Sequence, residues 1–405
     1  MSDFYQTGVV ATLHMLGKKG FEKIEKELNL FSRNIKTTLL IPVTASDYKA
    51  EPMKNILKEL ENVEFINQIV LSLNRAKEKD FIKVKEELKD YPRKVYVVWH
   101  ESLRVQKLLS QLVNSGLKIG PQGKGRATWI GLGFIIAQGE TDVLVLHDSD
   151  IITYSKEMLA RLAYPVVSPY IDFEFSKGFY ARFTDKLHGR VMRLLFTPLL
   201  RSLMEIIGYH PFLVYLDSFR YALAGEFAIK LGLARNIRIP GDWGLEIGML
   251  AEVYRNVALK RICQVELADN YEHKHQALSP DDPRKGLHRM AIDIVVNLLR
   301  NLSSYGININ EGLLRALRVT YLKASEDMIA RYHADAMING LFFDRHEEEM
   351  AVETFGNAIK IACEIYLEDP LGIPLIPNWI RISSAIPDFL PNLKKAVEED
   401  FLEIK

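Results

Sequence analysis

The chain has 405 residues, 48% of them hydrophobic and 26% charged, with 52 basic side chains against 52 acidic ones. That composition excludes a largely disordered chain, and the balanced charge excludes a nucleic-acid binder built on a broad basic face, leaving only local anion pockets open. No apolar run reaches the roughly 18 residues a membrane-spanning helix needs, the first ten residues lack a secretory pattern, and Cys263 and Cys363, the only cysteines, have no ligand-like spacing; a reducing, cytoplasmic location is expected, with neither membrane nor nucleic acid as partner.

Residues 1–35 read as helical, because Val9, Leu13, Leu16, Ile24 and Leu28 fall near helical spacing. Residues 37–43 form a short apolar run containing Pro42, which suits a buried strand. A helix over 53–60, a strand over 67–73, a charged helix over 77–88, a strand over 94–99 and a helix over 104–115 follow. Residues 123–138 predict an amphipathic helix stopped by Gly139, and 142–147 an apolar strand running straight into Asp148-Ser149-Asp150. Alternating strands and helices imply an α/β fold with a mostly parallel sheet. Residues 151–276 are more mixed, with strands expected over 173–179 and 262–267. Beyond Gly286 nearly everything reads helical, apart from a stretch holding Pro370, Pro374 and Pro377 before a short terminal helix.

The sharpest chemical signal is Asp148-Ser149-Asp150. Ligands of open α/β sheets bind outside the carboxyl ends of strands. Two carboxylates two positions apart on such a turn can divide the work, one accepting hydrogen bonds from a ribose and the other holding a divalent cation. One helix upstream, Gly120-Pro121-Gln122-Gly123-Lys124-Gly125 offers backbone N–H groups and a lysine to an anion; it is neither a Walker loop nor G-x-G-x-x-G. Glu272-His273-Lys274-His275 supplies an imidazole that could join Asp150 on one cation, or simply be solvated. Asp242-Trp243-Gly244-Leu245-Glu246 sets two carboxylates at a helix start, with Asp242 as a cap and Glu246 as a candidate sugar contact. Gly189-Arg190 offers glycine backbone and a guanidinium to a phosphate or carboxylate.

Taken in order, Gly123-Lys124-Gly125, Asp148-Ser149-Asp150, the stretch from Gly189 to Leu200, Leu223-Ala224-Gly225-Glu226-Phe227-Ala228, the stretch from Gly241 to Gly248 and His273-Lys274-His275 resemble the glucosyl-3-phosphoglycerate synthases. These are retaining GT-A glycosyltransferases related to the mannosyl-3-phosphoglycerate and mannosylglycerate synthases. The resemblance spans about two thirds of the chain. It implies a Rossmann-like nucleotide-sugar-binding sheet with a mixed acceptor subdomain and a helical C-terminal region. The division it suggests is a helical segment over 1–35, a nucleotide-sugar-binding domain over 36–150, an acceptor subdomain over 151–285 and helices over 286–405.

By position, the resemblance implies that Pro42, Val43, Ser46 and Leu73 hold the uridine, that Lys124 contacts the donor, and that Asp148, Ser149 and Asp150 contact the nucleotide. Asp150 and His273 become the ligands of Mg²⁺ or Mn²⁺. Glu246 grips the transferred sugar, the Leu223 carbonyl lies near the anomeric carbon, and Gly189, Arg190 and His275 meet the acceptor. Glucose would move from UDP-glucose to D-3-phosphoglycerate, giving glucosyl-3-phosphoglycerate, the precursor of the compatible solute glucosylglycerate, in an enzyme expected to be a homodimer. Mannosyl transfer from GDP-mannose and nucleotidyl transfer remain open as alternatives.

Overall fold

The structure, a computed structural model, describes residues 6, 8–17, 20–241, 243–274, 276–372 and 375–403. Eight strands form one sheet: β1 (Ala11–Leu13), β2 (Thr37–Thr44), β3 (Gln68–Asn74), β4 (Val95–Trp99), β5 (Val143–Leu146), β6 (Phe175–Tyr180), β7 (Phe227–Lys230) and β8 (Ile262–Ala268). Their spatial order is β1-β8-β6-β7-β5-β2-β3-β4. All neighbours run parallel except β7, which is antiparallel to both β5 and β6.

Apolar residues on both faces make these strands suited to a sheet covered on each side. Alternation along each strand sends Leu40, Val70, Val98 and Leu144 into one core with Leu109, Trp129 and Phe134. Leu39, Ile41, Ile69 and Val145 enter the other, with Ile56, Phe81 and Leu159.

The reversed β7 matters for the site. A parallel strand delivers its carboxyl end to one edge of the sheet; an antiparallel strand delivers its amino end there instead. Leu146, at the end of β5, therefore pairs with Phe227, at the start of β7. The 223–226 loop is carried to the edge where β5, β6 and β8 finish. The mostly parallel sheet matches expectation; β7 went unforeseen.

The N-terminal segment departs from its helical reading. Ala11–Leu13 is a strand, paired in parallel with Cys263–Val265, and the helix begins only at Gly20 (Gly20–Phe31). The exposed edge of β8 offers a row of backbone partners, and that outweighs a weak helical spacing. The C-terminal region is helical as expected, with long helices Gly286–Ser304, Glu311–Ile338 and Arg345–Glu368. The last two helices, Trp379–Ala385 and Phe389–Glu403, return to the β2–β5 half of the sheet, where the final helix packs on the helices Lys124–Gln138 and Leu103–Asn114. Trp379 stacks on Trp129 at 4.2 Å, and Arg104 meets Glu399, Asp400 and Glu403. Among the described residues no helix is long and apolar enough to cross a membrane.

Candidate functional site

The tripeptide at the end of β5 splits its two carboxylates between different partners. Asp148 Oδ1 pairs with Lys124 Nζ at 2.6 Å. Lys124 is the first residue of the helix Lys124–Gln138, and the same ammonium reaches Glu246 Oε1 at 3.1 Å. Glu246 lies in the first turn of the helix Leu245–Asn256, where the helix dipole favours a negative charge. The segment leading into that helix packs on the start of Lys124–Gln138 because Gly125 is a glycine: a Cβ there would come within 2.0 Å of the Pro240 carbonyl oxygen.

Electrostatics tie the trio together. Burial alone would raise the Asp148 carboxyl, but the Lys124 charge and hydrogen bond hold it below the ordinary carboxylate value. Burial works against the Lys124 ammonium, and Asp148 with Glu246 more than offsets it, so its pKa lies above that of an ordinary lysine.

Asp150 points elsewhere. Its Oδ2 lies 3.6 Å from His273 Nδ1, and the backbones of Ile151 and His273 form an isolated antiparallel bridge. A carboxylate oxygen and an imidazole nitrogen suit Mg²⁺ or Mn²⁺ when phosphate oxygens and water complete the coordination. Among the described residues no group of three His, Cys, Asp or Glu side chains forms a closed metal cage. The two donors present fit such an ion. Ser149, between the two carboxylates, is buried.

Several roles that no sequence pattern announced are filled beneath this edge. Glu226 is fully buried and accepts hydrogen bonds from Tyr271 Oη at 2.6 Å and Tyr180 Oη at 2.8 Å. Burial and the Asp148 charge raise its pKa, against the pull of Tyr271, Lys124 and Tyr180. The two phenol rings stack at 3.7 Å, and Tyr271 stands 5.7 Å from the His273 ring. Lys177, also fully buried on β6, donates to the Ala224 carbonyl; burial pushes its pKa down to about 8, although Glu246 and Glu226 resist. Gly225 completes the packing: a Cβ there would meet Asp148 Oδ2 at 2.4 Å and Lys124 Nζ at 2.7 Å. The sequence singles out the stretch Leu223 to Ala228 without a role for Gly225 or Glu226, and a charged residue inside an apolar strand, as at Lys177, was the other available signal.

The other expected residues fall as follows. Leu223 is half-buried in the loop before β7, fixed by the Ala224 N–H donating to the Tyr221 carbonyl at 3.1 Å. Pro42 and Val43 lie in β2, and Leu73 lies opposite Val43 in β3. The Val43 and Leu73 side chains are in the core, so only their backbone can serve a nucleoside. Ser46 is exposed, bonded to Thr44 Oγ1 at 2.8 Å. Gly189 adopts φ +74, a left-handed conformation that favours glycine, and precedes a π-helical segment, Val191–Phe196. The Arg190 guanidinium faces the C-terminal helices, with Glu347 Oε2 at 2.6 Å and Glu348 Oε1 at 2.7 Å; an anion reaching it has to share or displace those carboxylates. His275 and Asp242 lie outside the described residues.

No model of a known protein family matches the chain. The glucosyl-3-phosphoglycerate synthase of Persephonella marina is 47% identical over 400 residues, covering 99% of each chain. That of Methanococcoides burtonii is 38% identical over 408 residues, covering 99% of this chain and 98% of its own. Among solved structures, Mycobacterium tuberculosis glucosyl-3-phosphoglycerate synthase in complex with Mn²⁺, UDP-glucose and phosphoglyceric acid superimposes with a TM-score of 0.54 at 21% identity, over 74% of this chain and 89% of that one. Rubrobacter xylanophilus mannosyl-3-phosphoglycerate synthase gives 0.54 at 20% identity, over 74% and 83%. At that identity the two structures speak for the fold alone. The full-length likenesses go further, and on them the chain belongs to the glucosyl-3-phosphoglycerate synthase family.

Proposed function

We propose that the protein transfers glucose from UDP-glucose to the 2-hydroxyl of D-3-phosphoglycerate with retention at the anomeric carbon, using Mg²⁺ or Mn²⁺. The observation that carries this reading is the meeting of Asp150 and His273, 3.6 Å apart, beside the Lys124–Asp148 pair at one edge of the sheet.

Asp150 and His273 would hold the cation, which when bound draws charge off the departing diphosphate. Lys124 adds a fixed positive charge on the same side, and Asp148 with Ser149 faces the nucleotide at the end of β5. The backbone ends of β2 and β3, at Pro42, Val43 and Leu73, together with Ser46, receive the uridine. Glu246 accepts hydrogen bonds from the sugar hydroxyls and keeps its orientation through Lys124. Leu223 presents its carbonyl to the anomeric carbon, while Lys177 holds the adjoining Ala224 carbonyl from beneath. Gly189, Arg190 and His275 receive the acceptor. The new bond forms between the acceptor oxygen and the anomeric carbon as the bond to the diphosphate breaks, and the hydroxyl proton leaves with the diphosphate. Asp148 and Glu246 are both engaged by Lys124, so neither stands as a free nucleophile, which favours this same-face route over a covalent glucosyl-enzyme.

The same reading makes the protein a cytoplasmic homodimer. Two free, buried cysteines suit a reducing compartment, and Val319 and Leu322, three residues apart on the helix Glu311–Ile338, expose apolar side chains. Sedimentation at a monomer's mass would remove the dimer.

The deciding experiment incubates the protein with UDP-glucose, GDP-mannose or GDP-glucose, with phosphoglycerate or glycerate, and with Mg²⁺ or Mn²⁺, and weighs the products. The expected result is one hexose added to phosphoglycerate from UDP-glucose; transfer from GDP-mannose alone would replace the donor assignment.

A further inference from the structure

The loop expected to meet the acceptor carries two guanidiniums, and both already face acid groups. Arg190 bonds Glu347 and Glu348, and Arg193 Nη1 bonds Glu348 Oε2 at 2.8 Å. A third guanidinium on the same wall does not. Arg182 follows the end of β6 by two residues and is half-buried. Its Nη1 donates to Tyr221 Oη at 2.9 Å, its Nε is buried with no hydrogen-bond partner, and among the described residues no carboxylate comes within ion-pair distance.

Arg182 is held where the elements of the site converge. The His188 N–H donates to the Arg182 carbonyl at 2.9 Å, so the residue lies beside the turn that ends in Gly189. The Tyr271 N–H donates to the carbonyl of Ala181, also at 2.9 Å, which binds it to the segment leading to His273. Tyr221, its partner, stands two residues before Leu223, and its hydroxyl is the atom a Cβ at Gly189 would meet at 3.1 Å. Tyr221 also packs against Tyr180, at 5.1 Å between ring centres.

Withdrawing a cation from water without a counter-ion is costly, and the neighbouring Lys124, Arg190 and Arg193 all have theirs. With Nη1 committed to Tyr221, the Nε–Nη2 edge remains. That edge is the fork that grips two oxygens of a carboxylate or phosphate at once. We infer that Arg182, braced by Tyr221, binds an acid group of the acceptor and thereby sets the preference for an anionic acceptor. The inference rests on the functional reading above, which supplies the acceptor.

The test uses the full chain with Mn²⁺, comparing wild type with Arg182→Gln, Arg182→Lys and Tyr221→Phe. Arg182→Gln is expected to raise the phosphoglycerate KM at least tenfold while the UDP-glucose KM moves less than twofold. Arg182→Lys should restore part of the loss, and Tyr221→Phe should show a smaller loss of the same kind. Glycerol 3-phosphate and D-glycerate, as competitors of phosphoglycerate, identify the group. The analogue lacking the acid group that Arg182 binds should inhibit wild type and Arg182→Gln equally, and the other should lose at least tenfold. An unchanged acceptor KM, equal rises in both KM values, or losses with both analogues would overturn the inference. Should Arg182→Gln fold poorly, the KM split in Arg182→Lys and Tyr221→Phe decides. Wild-type protein that forms no glucosylphosphoglycerate would instead sink the functional reading, a failure visible before any variant is made.

Discussion

Lys177 is a fully buried lysine that spends its hydrogen bond on the loop presenting Leu223. Its pKa is depressed to about 8 from an ordinary 10.5, burial being the main cause. Between those two values the unfolded chain keeps a proton that the folded chain has released, so folding stability rises with pH across the window and the cost is fully present below it. The gain is at most on the order of 3 kcal/mol. Urea midpoints at pH 7.5 and 10 should show wild type gaining relative to Lys177→Met; parallel behaviour would mean that Lys177 does not titrate there. Gly225 carries a prediction of another kind. Gly225→Ala forces a methyl against both Asp148 and Lys124, so UDP binding should weaken at least tenfold while the urea midpoint moves modestly. Calorimetric titration with UDP and Mn²⁺ checks it, and unchanged affinity would mean the ion pair yields without consequence.

At the scale of elements, β2 to β5 were legible because each is a short apolar run bounded by polar or turn residues, and the helix before β5 because Gly139 closes it; its expected amphipathic character is not found, since residues on every side from Ala127 to Ile136 are buried. Asp148-Ser149-Asp150 could be read because two acids directly after such a run are unusual for a strand continuing inward. β7 could not be: four residues, Phe227–Lys230, carry no turn signal, and their direction is decided by β5 and β6 on either side. β1 was misread for the same reason, since its pairing belongs to β8. The Glu226–Tyr180 and Glu226–Tyr271 bonds join residues 46 and 45 positions apart, and no local pattern encodes such contacts. Arg190 was recognisable as a guanidinium for an acid group; that its standing partners come from the helix Arg345–Glu368, more than 150 residues away, was not.

Across the whole molecule, the segment 375–403 ties the β2–β5 half of the sheet to the C-terminal helices. Trp379 is nearly fully buried against Trp129, whose Nε1 donates to the Pro377 carbonyl at 2.8 Å. Both sit on the helix that begins at Lys124 or on the strap crossing it, so the anchor of the site and the end of the chain share one core. Trp379→Ala should cost about 3–5 kcal/mol of stability, the range for deleting a large buried aromatic. Urea unfolding would measure it; a loss below about 1 kcal/mol would show the strap to be dispensable.

The pairing of Asp150 with His273 is tested most directly by titrating Mn²⁺, followed by electron paramagnetic resonance, into UDP-loaded wild type, Asp150→Ala and His273→Ala. The expected result is a single tight site in wild type that weakens at least tenfold in each variant. Tight binding retained in both variants would mean that no cation bridges these two side chains.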